Sequence, residues 1–207
     1  KIAVVGDGTP VATDFLASGQ LGFAPDGTRW YAAGAAPPPD GRTIGDITLF
    51  VDGAQALRHR DLSMPSFSPD GAHVAWLTAT DRRSTLVVDG AVARTFDPPT
   101  APCAAAALPS APDPDMPLRH IVKYLPDGRL LVVTRDADGW GVYLDAERIA
   151  SYPVSLLDTA SPECASGASF APRSLRTAEA AAVAVWWERL PGDPARWRIA
   201  RNGRPFD

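Results

Sequence analysis

Aspartates recur at equivalent places along this chain, and a repeated carboxylate is the first pattern to weigh as chemistry. Asp26, Asp70 and Asp127 each stand in Pro-Asp-Gly, and Asp52 and Asp89 each stand in Val-Asp-Gly. Converging carboxylates can hold a divalent cation or share a proton in general acid–base work. Here each one precedes a glycine that a tight turn requires. Asp26-Gly27, Asp70-Gly71, Asp127-Gly128 and Asp89-Gly90 therefore read as structural turns. The run Asp136-Ala137-Asp138-Gly139 is a fragment of a calcium loop without its further ligands or closing Glu, so no metal is expected. His59, His73 and His120 lie far apart in sequence. His73 follows a turn and His120 opens a strand, positions that suit structural roles. No serine elbow, His-Glu-x-x-His, phosphate loop or dinucleotide fingerprint occurs. No catalytic residue and no cofactor are expected.

The turns belong to a larger unit. Phe23-Ala24-Pro25-Asp26-Gly27 leads to Val51-Asp52-Gly53; Phe67-Ser68-Pro69-Asp70-Gly71 leads to Val88-Asp89-Gly90; Tyr124-Leu125-Pro126-Asp127-Gly128 leads to Leu144-Asp145-Ala146. A worn copy, Phe170-Ala171-Pro172-Arg173-Ser174, leads to Arg201-Asn202-Gly203. The spacing is 44 residues from Gly27 to Gly71, 57 from Gly71 to Gly128 and 46 from Pro126 to Pro172, near the period of a propeller blade. Within each unit Pro-Asp-Gly closes a hairpin between strands a and b, and Asp-Gly closes another between c and d. The b strands, such as His73-Val74-Ala75-Trp76-Leu77, are apolar on both faces, as in a sheet sandwiched between neighbours.

This pattern predicts one all-β domain over residues 1–207, a β-propeller of four-stranded antiparallel blades. A half blade at 1–14 precedes four fuller blades at 21–61, 64–98, 118–152 and 168–207. No C-terminal a–b pair completes the half blade. The ring is part of a larger propeller, stays open, or closes by another pairing; an open ring needs a partner or a cover.

In an up-and-down blade the a–b and c–d turns share one edge, and the b–c and d–a connections share the other. The first set is tight here. The second carries the long segments: residues 34–46, 98–117 and 153–167. Function concentrates on irregular loops held by a rigid scaffold, so the b–c/d–a edge is the expected working face. Its candidate ligand-binding residues are His59, Arg60, Arg82, Arg83, Asp136, Asp138, Trp140 and Arg189. An Arg- and Asp-bearing rim with an aromatic suits a peptide or a carboxylate ligand; the other reading is a set of solvated loop charges. Trp186-Trp187 lies in a strand, where successive rings face opposite ways and pack between blades. Cys103 and Cys164 fall in d–a connections entering successive blades. One disulfide between them would close 61 residues and imply an oxidising compartment; two free thiols are the alternative.

The units resemble the WD-repeat-like propeller repeats of TolB-type proteins, the tricorn core and the propeller domains of prolyl oligopeptidase-like enzymes. The resemblance rests on [Phe/Tyr]-x-Pro-Asp-Gly before an apolar strand and x-Asp-Gly after the next, and it covers most of the chain. It implies scaffolds, peptide-binding platforms and gates, and a periplasmic or extracellular location.

Composition is consistent with that. The 207 residues are 45% apolar and 21% charged, with 21 prolines, 17 glycines and a net charge of −4, so the chain can bury a real core. No basic patch points to nucleic acid, and no apolar run is long enough for membrane insertion. The chain begins at Lys1 already in strand pattern, which points to a removed leader or upstream segment. The function expected is a non-enzymatic binding or scaffold propeller presenting its loop-rich edge to a peptide, protein or small ligand. The alternative is a gating propeller of a larger prolyl oligopeptidase-like serine hydrolase. A propeller enzyme of the lyase or glycan-hydrolase kind fits least, because Gly22, Ser66, Ser68, Lys123 and Ser169 on the a strands are mostly small and neutral.

Overall fold

Pro presets φ, Asp bonds its own backbone two residues on, and Gly takes the left-handed position; the three together reverse the chain. In the computed structural model this happens three times. Gly27, Gly71 and Gly128 adopt φ of 72°, 72° and 86°, while Asp26, Asp70 and Asp127 accept from the N–H of Thr28, Ala72 and Arg129. The structure describes residues 2–6, 9–15, 20–35, 46–59, 61–79, 83–97, 120–152, 154–155, 169–170, 176–178, 183–189, 197–201 and 204–206. Side chains are described for 20–35, 46–59, 61–79, 83–97 and 120–151.

The described elements are all strands. β1 (Ile2–Gly6) and β2 (Thr9–Phe15) form a two-stranded antiparallel sheet. Three four-stranded antiparallel sheets follow in chain order. The first holds β3 (Gln20–Phe23), β4 (Trp30–Ala35), β5 (Ile47–Val51) and β6 (Ala54–His59). The second holds β7 (Ser66–Phe67), β8 (Val74–Ala79), β9 (Ser84–Val88) and β10 (Ala91–Phe96). The third holds β11 (Ile121–Tyr124), β12 (Leu130–Asp136), β13 (Gly139–Leu144) and β14 (Glu147–Tyr152).

The last sheet departs from the repeat. It contains β15 (Val154–Ser155), β16 (Ser169–Phe170), β17 (Arg176–Ala178), β18 (Val183–Arg189), β19 (Trp197–Arg201) and β20 (Arg204–Phe206). β16 and β17 both pair antiparallel with β18, and β15 adds in parallel to β16. The sheet is therefore six-stranded. β17 pairs with the start of β18, Ala178 facing Val183, whereas Arg173-Ser174 in the worn motif offers no glycine for a left-handed turn position.

The sheets pack face to face, as propeller blades do. Ala24, Ala33, Leu49, Phe67, Val74 and Trp76 form one core between the first and second sheets. Leu77, Leu86, Phe96, Val122, Leu130, Val132 and Tyr143 form the next, between the second and third. Polar contacts fasten the same gaps. Ser66 Oγ accepts from the Tyr124 N–H at 2.9 Å, joining the two a strands. Arg94 donates to the Ala146 carbonyl at 2.9 Å and lies over the rings of Phe96 and Tyr143.

The Asp-Gly turns do more than reverse the chain. Asp52, Asp89 and Asp145 all take positive φ, at 50°, 52° and 54°. Each one clasps the first residue of strand b twice. Its N–H donates to the carbonyl of Trp30, Val74 or Leu130, and its Oδ1 accepts that same residue's N–H at 2.8–2.9 Å. The clasp ties the c–d turn to the a–b turn on one edge of each of the three four-stranded sheets.

Candidate functional site

On the edge opposite these clasps lie the ends of the b and d strands. His59 closes β6, and its Nδ1 lies 3.2 Å from the Asp61 N–H and 3.0 Å from the Asp61 carbonyl. The Asp61 carbonyl in turn accepts from Ala79 at the end of β8, so the first d–a connection leans on the second sheet. Arg83 enters β9 and pairs with Asp97, just past β10, at 3.6 Å, with both side chains more than half exposed. Arg60, Arg82 and Arg189 lie outside the residues whose side chains are described, and so do Cys103 and Cys164.

The third sheet corrects two expectations. Asp136, expected on the b–c loop, ends β12 and is 6% exposed. Trp140, expected in the same loop, is the second residue of β13 and 3% exposed. The b–c connection here is a tight turn at Ala137-Asp138, because Gly139 takes φ 126° and lets β13 start at once. Trp140 then packs with Leu125, Leu131, Val133 and Val142. Its ring lies 6.0 Å from His120, and the Arg135 guanidinium lies 5.9 Å from its centroid. Both Asp136 and Trp140 are held inside the sheet.

Asp136 anchors a buried polar group instead. Tyr143 donates its hydroxyl to Asp136 Oδ2, and the Asp138 N–H donates to Oδ1 at 3.0 Å. Arg148 bridges from β14, 3.4 Å from Asp136 and 2.6 Å from Asp138. Burial, together with the bond to Asp136, pushes the Tyr143 phenol far above its ordinary range, so it stays a donor. Beside it, His120 Nδ1 meets Thr134 Oγ1 at 2.9 Å, both buried. Asp138 stays exposed, at 67% of its side chain, and is the described carboxylate of this group that solvent reaches. Sequence reasoning missed Tyr143, Arg148 and Gly141, which complete the group from positions with no motif of their own.

The turn edge carries charge as well. His73 Nδ1 lies 2.7 Å from Asp89 Oδ2, and the hydrogen bond and the negative charge of Asp89 hold the imidazolium above its ordinary 6.5. Partial burial acts to raise Asp89, but the bonds from His73 and the Val74 N–H outweigh it and hold it below 3.8. Folding raises the His73 pKa, so its contribution is full below 6.5 and fades as pH rises through the folded value. Asp89 contributes above 3.8 and loses that contribution as pH falls through its folded value. The pair is most effective between these limits. An NMR titration of the His73 ring is expected to give a midpoint above 6.5, returned toward 6.5 by Asp89→Asn. A midpoint that Asp89→Asn leaves in place rejects the pair.

No family model and no curated protein sequence matches the chain. Among solved structures it is similar to TolB from Acinetobacter baumannii, with a TM-score of 0.46 and 12% identity over 93% of this chain and 42% of that one. A putative TolB from Agrobacterium tumefaciens gives 0.46 and 15% over 96% of this chain and 68% of that one. A mutant puromycin hydrolase complexed with PGG gives 0.39 and 15% over 97% and 40%. The chain spans less than half the length of the first and third. TolB thus stands among the similar structures, as the Pro-Asp-Gly repeat implies.

Proposed function

We propose that this propeller is a non-enzymatic binding scaffold whose b–c/d–a edge takes a peptide or protein segment. The observation that carries the reading is an asymmetry of connections. On the clasped edge successive described strands join through tight turns, such as Val51 to Ala54 and Val88 to Ala91. On the other edge the chain leaves Ala35 and returns at Ile47, and leaves Phe96 and returns at Ile121. A rigid sheet stack whose longest connections leave and return on one edge has the layout of a presenting scaffold. Charges at that edge, exposed Arg83 with Asp97 and half-buried Arg148 with exposed Asp138, suit paired hydrogen bonds to a carboxylate-bearing segment. By their place in the sequence, Arg60, Arg82 and Arg189 are assigned to the same rim in this reading. Export to the periplasm or outside the cell, with Cys103 bridged to Cys164, belongs to this reading.

Random peptides displayed on phage and selected on the immobilised protein test it. Carboxylate-rich sequences are expected to be enriched, and their affinity to fall about tenfold or more in the double variant Arg82→Glu/Arg83→Glu. An absence of enrichment, or binders indifferent to that variant, overturns the reading.

A further inference from the structure

The three Pro-Asp-Gly turns superpose in role, and the gaps between them can be compared position by position. Phe67 in the second sheet corresponds to Tyr124 in the third. Gly71 corresponds to Gly128, and Asp26 to Asp70. Arg29, His73 and Arg129 occupy the same place, immediately before strand b, where each carbonyl accepts from the residue preceding Pro-Asp-Gly.

In the gap between the first and second sheets, Arg29 reaches across. Its Nε sits on Asp52 at 2.8 Å, and its Nη1 donates to the Ala72 carbonyl at 2.7 Å and the Gly71 carbonyl at 3.4 Å. Its guanidinium carbon lies 5.3 Å from the Phe67 ring centroid. The Asp26 carboxylate closes over Gly71, 3.1 Å from where a Cβ would stand. This gap is filled by a cation on an aromatic ring, two carbonyls and a carboxylate.

The next gap has the corresponding residues without the guanidinium. His73 replaces Arg29, and its charge is taken by Asp89 at 2.7 Å. Nothing lies within 4 Å of where a Gly128 Cβ would stand. A cavity of about 290 Å³ remains, lined by Ser68, Asp70, His73, Tyr124, Asp127 and Gly128 together with the two turn prolines. Asp127 is paired with Arg129. Asp70 has hydrogen bonds from Ser68 Oγ and the Ala72 N–H and no ion-pair partner among the described residues. Asp89, Asp145 and Asp70 together place a negative field on Tyr124. An electron-rich ring in a negative field binds a cation on its face. A planar guanidinium can also donate to a carbonyl edge while it stacks, which an ammonium cannot match.

We propose that the cleft between the second and third a–b turns is a guanidinium site that takes an arginine side chain from a partner peptide or protein. Arg29, one gap away, shows the geometry of occupancy within the same chain. The site lies on the clasped edge, opposite the edge proposed above, and stands or falls separately from that reading.

Titration of ¹⁵N-labelled protein with N-acetyl-argininamide tests it, with N-acetyl-citrullinamide as neutral isostere and N-acetyl-lysinamide as ammonium control. Saturable shifts are expected at the amides of Asp70, Tyr124 and Gly128. Affinity for the arginine probe should exceed that for citrulline by about tenfold or more and exceed that for lysine. His73→Arg supplies the missing guanidinium in cis and should abolish those shifts while leaving the rest of the spectrum in place. Tyr124→Leu, which removes the ring without filling the gap, should weaken arginine binding several-fold and serves as the deciding variant should His73→Arg fail to fold. Equal response to citrulline, shifts scattered over other residues, or binding unchanged in the folded variants overturns the proposal.

Discussion

Gly141→Ala is expected to lower the melting temperature by roughly 5–10 °C, the consequence of a loss of about 2–4 kcal/mol. Gly141 lies in mid-β13, paired with Thr134 on β12 and Ser151 on β14. A Cβ there falls well inside 3 Å of Asp136 Oδ2 and Tyr143 Cε2, and 2.9 Å from Tyr143 Cζ. Neither neighbour can step aside. Asp136 and Tyr143 are 6% and 3% exposed and bonded to each other. The Tyr143 ring lies 5.0 Å from Phe96, with Arg94 4.5 Å from its centroid. Making room for one methyl group therefore breaks either the Asp136 bond, leaving a buried carboxylate short of a donor, or the stack that joins the second sheet to the third. Differential scanning calorimetry of the variant, beside exposed Val92→Ala as a control, measures the effect. A shift no larger than that of the control means that the Tyr143 ring turns freely, and the packing described for it is wrong.

The turns were legible in the sequence because a turn is local. Pro-Asp-Gly and Asp-Gly specify their dihedrals within three residues, so the hairpins of the first three sheets follow from the sequence alone. Side chains that cross a gap are not legible in this way. The aspartate after β5, β9 and β13 reads as a turn former, yet its carboxylate also holds strand b, a contact with a residue 15 or 22 positions away. Trp140 and Asp136 look like loop residues until Gly139 shows that the loop is two residues long. The exchange of Arg29 for His73 is one unremarked difference between two repeats, and it gains meaning only when the gaps they face are compared. The worn fourth motif was legible as a departure, but its outcome was not. Once the glycine is missing, where the chain turns depends on pairing with β18, and pairing is not written in the turn.

The core between the second and third sheets should respond to Leu77→Ala by losing about 3–4 kcal/mol, among the largest effects of a single truncation in this chain. Leu77 is fully buried and packs in one cluster with Phe96 of its own sheet and Val122, Leu130, Val132 and Tyr143 of the next. Its backbone N–H is tied to Ser63 Oγ at 2.8 Å, so the main chain cannot sink to refill the space. The walls on the far side are strand residues at 0–8% exposure with their own ladder bonds. The void therefore persists, and the loss combines the transfer of the side chain with the cavity that remains. Its location adds a second consequence. In a chain of stacked sheets, stability divides into a part within each sheet and a part at each interface, and cooperativity comes from the interfaces. A cavity at this interface weakens the coupling itself. Urea unfolding of Leu77→Ala should show a lower midpoint and a shallower slope, with the second and third sheets beginning to unfold separately. Leu21→Ala, at a side chain 53% exposed, should leave both quantities unchanged. A Leu77→Ala protein that loses less than about 1 kcal/mol, or that keeps the parent slope, would show that the two sheets do not share this core as one cooperative unit.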